Sequence, residues 1–133
     1  MQEPIKQNES TENRPQGERT LDAALVKMNL KEFIEIIKSE KAWQEKDRNA
    51  MTIYKNEGMR MVLIASHENA FLAEHTANGI ISVQLLEGEI IFKTQTENAH
   101  LLPGEMIALH KGLTHSVQAI KESVFLLTVA TAY

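Results

Sequence analysis

The chain has 133 residues, a formal net charge of −4, no cysteine, 43% hydrophobic residues and 24% charged residues. This length and composition suit one globular domain with a real core. The acidic balance argues against a nucleic-acid partner, because phosphate binding needs a basic surface, and the missing cysteine excludes disulfides, thiolate nucleophiles and cysteine-ligated metals.

No apolar run in the sequence reaches the roughly 18 residues of a membrane-spanning helix. The N-terminal sequence also lacks the hydrophobic region of a signal peptide. We therefore expect a cytoplasmic protein that has no membrane partner.

Residues 1–20 are predicted to form a disordered tail. Ile5 is the one aliphatic side chain between Met1 and Arg19. Such a polar segment cannot bury enough apolar surface to offset the entropy lost on ordering it.

Residues 21–49 are predicted to contain a short extended stretch and one amphipathic helix, which pack on the main domain or on a partner subunit. Asn29 is suited to cap the helix, with Glu32 three residues later in a capping-box arrangement. Apolar residues then recur at helical spacing and predict a helix over 30–40: Leu30, Phe33, Ile34 and Ile37. Trp43 follows the helix and is interpreted as a packing anchor on the outside of the domain.

Residues 50–133 show the pattern of an all-β domain. About eight short runs of strand-forming residues follow one another at the spacing typical of a sandwich or barrel. The intervals are too short for crossover helices, so the strands should be antiparallel. Asn78-Gly79 predicts a hairpin between the runs at 71–75 and 80–86.

Two histidines stand out within this domain. His75 and His115 are 40 positions apart, and each lies on a short apolar run near glycine turns. This layout suggests a small β-barrel in which both imidazoles point into one pocket.

The segment from about residue 59 to residue 130 resembles the cupin superfamily. His75 matches the first histidine of the family's first motif, and Leu86-Glu87-Gly88 matches the turn that closes it. Gly104, Gly112 and His115 match the second motif in register. The resemblance implies an antiparallel double-stranded β-helix, a jelly-roll barrel, with one short N-terminal helix.

The same motifs depart from the family pattern at four positions. Family members with the full set bind one metal ion through three histidines and a glutamate. The departures are Ala77 for the second histidine, Ile81 for the glutamate, His110 for a proline and Ala119 for the final asparagine. Of the ligand set, this chain keeps His75 and His115.

The motifs leave open whether the protein binds a metal ion. His75 and His115 are the candidate ligands for one divalent ion, such as Fe, Mn, Zn or Ni. Two neutral imidazoles neutralise no charge, and the usual mononuclear iron site adds a carboxylate to two histidines. His110 and His67 are nearby replacement ligands. Glu68 and Glu87 are the closest carboxylates in sequence, and Glu74 should face away from His75.

The pocket itself is expected to be lined by six residues: His75, Ala77, Ile81, Val83, His110 and His115. Apolar walls with a few polar groups suit a small organic ligand, although the same residues could simply fill a small barrel. Three functions stay open: a metal-free binding or sensor module, a metal-dependent dioxygenase- or isomerase-like enzyme, and an interaction protein with a vestigial pocket. The resemblance also implies a homodimer.

Overall fold

A computed structural model describes residues 6–8 and 19–131 of the chain. The disordered tail predicted for residues 1–20 falls largely on residues 1–5 and 9–18, which lie outside the described residues. The described parts of that segment are two short strands, Lys6–Asn8 and Arg19–Asp22, which pair antiparallel.

The described residues form eleven strands and two helices. In chain order these are β1 (Lys6–Asn8), β2 (Arg19–Asp22), α1 (Leu30–Ser39), α2 (Lys41–Glu45), β3 (Arg48–Lys55), β4 (Met59–Ser66), β5 (Phe71–His75), β6 (Ile80–Glu87), β7 (Ile90–Thr94), β8 (Asn98–Leu101), β9 (Met106–Leu109), β10 (His115–Ala119) and β11 (Ser123–Ala130). The predicted helix is confirmed, and α2 is a second short helix that the sequence pattern did not predict.

Strands β3 to β11 build two antiparallel sheets that face each other. One sheet has the order β3-β4-β11-β6-β9, and the other has the order β5-β10-β7-β8. Every neighbouring pair in both sheets is antiparallel. The predicted all-β antiparallel fold is therefore confirmed, with nine barrel strands where about eight were expected.

The space between the two sheets holds the first hydrophobic core. It includes Ile81, Val83 and Leu85 of β6 and Phe92 of β7, all buried. Because side chains alternate between the two faces of a strand, residues two apart share this inner face. Phe125 of β11 completes the centre of this core.

The outer face of the five-stranded sheet holds a second core beneath the helices. Leu63 of β4 and Val124 of β11 pack there with Ile37 of α1. Asn29 caps α1, since its Oδ1 accepts a hydrogen bond from the backbone N–H of Glu32 at 3.1 Å. Strands β4 and β11 are therefore apolar on both faces, which explains their nearly continuous hydrophobic sequences.

The hairpin predicted at Asn78-Gly79 is wrong, because β5 and β6 belong to different sheets. Neither Asn78 nor Gly79 has the positive φ that the predicted hairpin turn requires. A Cβ on Gly79 would lie 2.3 Å from the carbonyl oxygen of Ala130. The glycine therefore serves a close approach to the end of β11 as the chain crosses between the sheets.

None of the helices in the part of the chain that the structure describes is long and apolar enough to cross a membrane.

Candidate functional site

The two motif histidines are cross-strand neighbours at one end of the barrel. His75 is the last residue of β5, and His115 is the first residue of β10, directly opposite it. Their ring centroids are 4.2 Å apart in an edge-to-face arrangement. The sequence motifs thus bring together two imidazoles that are far apart along the chain.

A β-bulge explains how His75 reaches the inner face. Between the pairs His115↔His75 and Val117↔Leu72, β10 advances by two residues and β5 by three. The extra residue on β5 re-aims the side chains that follow it, as bulges commonly do near functional sites. Leu72 and His75 can therefore both face the interior, although alternation alone would place them on opposite faces.

Each imidazole is held by a backbone carbonyl two residues earlier. Nδ1 of His75 lies 2.9 Å from the oxygen of Ala73, and Nδ1 of His115 lies 3.0 Å from the oxygen of Leu113. Because a carbonyl can only accept, the proton of each neutral ring is on Nδ1. The two Nε2 atoms are then acceptors, and no hydrogen bond to either is made by the described residues.

His115 is the deeper of the two histidines. Its side chain is 4% exposed, while His75 is exposed. Its ring stacks on Phe92 with a centroid separation of 5.4 Å. Burial lowers the pKa of His115, and the nearby His75 lowers it further against the opposing effect of the Leu113 hydrogen bond. The neutral imidazole is therefore favoured at the bottom of the site.

A cavity of about 380 Å³ opens between the two sheets at this end of the barrel. His75 and His115 form part of its wall on the four-stranded sheet. Ile81 of β6 and Val129 of β11, both buried, line it from the five-stranded sheet. The cavity thus has an apolar floor and a polar wall, a combination typical of small-molecule sites.

Four of the six residues predicted for the pocket line this cavity: His75, Ala77, Ile81 and His115. Val83 lies two residues further along β6, 1% exposed within the inner core, and does not line it. His110 is exposed in the turn after β9 and is also absent from the lining. The structure therefore groups His75, Ala77 and Ile81 with His115 at the cavity. Val83 and His110 lie apart from it.

Two cationic residues that the sequence reasoning missed also line the cavity: Lys55 of β3 and Arg60 of β4. Arg60 has the same strand parity as Val62 and Ile64, which belong to the inner core. A charged residue at a core-facing parity near the end of an apolar strand is the sequence signal that could have identified it.

The donor set fits a resident divalent metal ion poorly. Among the residues that the structure describes, no group of three or more His, Cys, Asp or Glu side chains could hold one. The described residues that line the cavity include Lys55 and Arg60 and no carboxylate. Glu74 lines a neighbouring cleft, which His115 and the cation Lys93 also line. Two imidazoles, neither of which can carry a negative charge, stand beside two cations and give a dication no charge compensation.

No protein-family model matches the chain, and no curated protein matches it. Solved structures do. A conserved protein of unknown function from Streptococcus pyogenes superimposes with a TM-score of 0.62 at 19% sequence identity, covering 67% of this chain and 79% of that chain. A cupin-2 domain containing protein from Shewanella frigidimarina gives a TM-score of 0.63 at 16% identity, covering 77% and 93%.

A larger protein shows the same likeness over part of its length. Salicylate 1,2-dioxygenase from Pseudaminobacter salicylatoxidans gives a TM-score of 0.58 at 15% identity, covering 63% of this chain and 26% of that chain. Identities this low establish the fold alone. The chain has a cupin fold, as its motif glycines and histidines predicted.

Proposed function

We propose that this small cupin-fold protein binds a small organic molecule, without a metal ion, in the cavity beside His75 and His115. One observation carries the proposal. Both imidazoles are fixed through Nδ1 to backbone carbonyls, while their Nε2 atoms have no partner among the described residues that line the cavity. Acceptors prepared in this way suit a ligand that donates a hydrogen bond.

The apolar side of the cavity supports the same function. Ile81 and Val129 offer the body of a ligand a surface from which water is readily displaced. His115, neutral because burial lowers its pKa, is also able to act as a general base toward a bound molecule. Binding of a ligand in this cavity does not require that any reaction follow.

The test is a ligand-observed NMR screen of a small-fragment library, with a cavity-filling variant. Ala77 lines the cavity, so Ala77→Phe should abolish binding of the hits by occupying their space. Ala24→Phe, the same change at an exposed position outside the lining, is the matched control. Hits that persist in Ala77→Phe, or a screen without hits, would contradict the proposal.

A metal-dependent dioxygenase- or isomerase-like enzyme is the second candidate. The observation that favours it is the pair of Nε2 atoms, since metal-ligating histidines commonly donate their other N–H to a carbonyl. It would need further ligands that the lining residues do not supply. Stoichiometric metal in tag-free protein, lost in both His75→Ala and His115→Ala, would favour this enzyme over the metal-free module.

The homodimer and the cytoplasmic location expected from the sequence stay predictions. Strand β9 is an edge of the five-stranded sheet, and its Met106 is exposed. Edge strands are common sites of subunit pairing. Equilibrium sedimentation of the full chain tests the dimer, and a monomer at all concentrations would contradict it.

A further inference from the structure

We propose that the cavity takes a small organic carboxylate, whose charge Arg60 and Lys55 neutralise while its apolar body lies on Ile81 and Val129. The proposal rests on the proposed binding function and specifies the chemical class of the ligand. It follows from three features of the described residues: the strand register, the charges of the lining and the position of the apolar floor.

The strand register places the cations and the apolar floor in one row. Lys55 is paired with Arg60, Arg60 with Val129, and Val129 with Ile81, across β3, β4, β11 and β6. Directly paired residues of antiparallel strands face the same side of a sheet. Val129 and Ile81 belong to the inner core. Arg60 therefore emerges on the inner face, at the point where the core gives way to the cavity.

Among the described residues that line the cavity, the charged side chains all have one sign. Lys55 and Arg60 line it together with two imidazoles, and no aspartate or glutamate within residues 19–131 does. Within residues 19–131, neither cation forms an ion pair with a carboxylate. The positive charge of these lining residues contrasts with the chain as a whole, whose net charge is −4. A concave surface with charge of one sign attracts a ligand of the opposite sign.

The shape of the Arg60 side chain, and not the positive charge alone, favours a carboxylate as the ligand. The guanidinium of Arg60 presents a planar fork that matches a carboxylate with two parallel hydrogen bonds. Phosphate shares that match, but it offers no apolar body for Ile81 and Val129. A carboxylate on an apolar skeleton uses both parts of the cavity, so it is the ligand class that the lining selects.

The test compares an acid with its neutral isostere. 4-Hydroxycyclohexanecarboxylate and 4-hydroxycyclohexanecarboxamide have nearly the same shape and differ in charge, and each carries a hydroxyl that can donate a hydrogen bond to a histidine Nε2. We expect the carboxylate to shift the backbone amide signals of Ala77 and Ile81 saturably in ¹H–¹⁵N NMR spectra, and the carboxamide to bind at least about tenfold more weakly. Inorganic phosphate, titrated alone and in competition, serves as the third probe.

Variants of Arg60 and Lys55 test whether these two cations cause the preference for the carboxylate. Arg60→Gln should weaken carboxylate binding by about tenfold or more, and Arg60→Lys should recover part of the affinity because it keeps the charge and loses the fork. Lys55→Gln should weaken it less, because Lys55 is a flexible point charge. Lys27→Gln, at an exposed position outside the cavity lining, is the matched control and should change nothing.

The outcomes separate this proposal from the binding function itself. Equal affinity for carboxylate and carboxamide, with both lost in Ala77→Phe, would overturn the carboxylate while leaving the binding function intact. Phosphate that binds more tightly than the carboxylate would also overturn it, since the apolar floor would then add nothing. No binding of any probe or fragment in the cavity would overturn both. Thermal unfolding of each variant confirms that the fold is intact.

Discussion

The two faces of the five-stranded sheet have opposite characters, although the same strands supply both. On the outer face, Leu63 and Val124 are closed off by Ile37 of α1. On the inner face, the apolar rows end at Arg60, beside an open cavity. The difference arises from side-chain alternation, which lets one strand contribute to a sealed layer and to the wall of a cavity at once.

The histidine next to the helices and the two histidines inside the barrel also differ, in the contacts that their rings make. In the loop after β4, His67 stacks on Trp43 of α2 with ring centroids 3.5 Å apart, and its Nε2 lies 2.7 Å from the Trp43 carbonyl oxygen. Inside the barrel, Nδ1 of His75 and Nδ1 of His115 each donate a hydrogen bond to a backbone carbonyl. Their Nε2 atoms have no partner among the described residues. We infer that His67 contributes to stability, whereas His75 and His115 line the cavity.

The largest expected effect is on the sealed face. Ile37 is fully buried, so Ile37→Ala should lower the free energy of unfolding by about 2–5 kcal/mol. Ile80→Ala, the same change at a half-exposed position, should cost less than about 1 kcal/mol. Chemical denaturation measures both values. Ligand binding by folded Ile37→Ala should be unchanged, and a similar cost for the two variants would contradict the packing described.

A smaller effect is expected at His67. His67→Ala removes the ring stacked on Trp43 and its hydrogen bond, and it should cost about 1–3 kcal/mol of stability. The NMR affinity for 4-hydroxycyclohexanecarboxylate should stay at the wild-type value. A loss of binding without a loss of stability would reverse the division between the two faces.

The ion pairs of Lys38 with Glu87 and Glu122 should contribute less. Partial burial lowers the pKa of the Lys38 amine, but Glu122 and Glu87, at 3.0 and 3.2 Å, together raise it above its ordinary value. Lys38→Met should cost about 0.5–1 kcal/mol at neutral pH, since both carboxylates are half exposed.

The sign of the pH dependence follows from the raised pKa of Lys38. Its stabilisation is fully present at neutral pH and is lost as the pH rises through the folded-state pKa. The wild type and Lys38→Met should therefore converge in stability only above the folded-state pKa, which is higher than the ordinary lysine pKa of about 10.4. Lys41→Met, which removes an exposed pair with Glu45, is the control and should change stability little. A constant difference at all pH values would contradict the ion-pair account.

The smallest expected effect concerns the pKa of His115. Burial and the neighbouring His75 hold it below its ordinary value. Acidification should therefore destabilise the fold below about pH 6.5, where the unfolded chain takes up the proton first, until the folded-state pKa is passed. His75→Ala should raise the pKa of His115 and weaken this dependence. Titration of the His115 ring signals by NMR tests the shift, and an unchanged pKa would contradict the coupling.

Much of the fold could be read from local patterns. Alternation and turn residues predicted the strands of the barrel, and the Asn29 cap with apolar residues at helical spacing predicted α1. The hairpin at Asn78-Gly79 failed because a glycine needed for close approach to Ala130 looks, in sequence, like a turn glycine. Local signals report conformational preferences and do not report which sheet receives a strand.

The sequence by itself determined the all-β class, and its motif glycines and histidines predicted that His75 and His115 lie at one pocket. Only the tertiary structure decided which other side chains join them. It set Val83 and His110 outside the lining and brought in Lys55 and Arg60, more than 50 positions before His115. The physical reason is that a cavity is defined by packing between sheets, and each sheet gathers residues from distant strands.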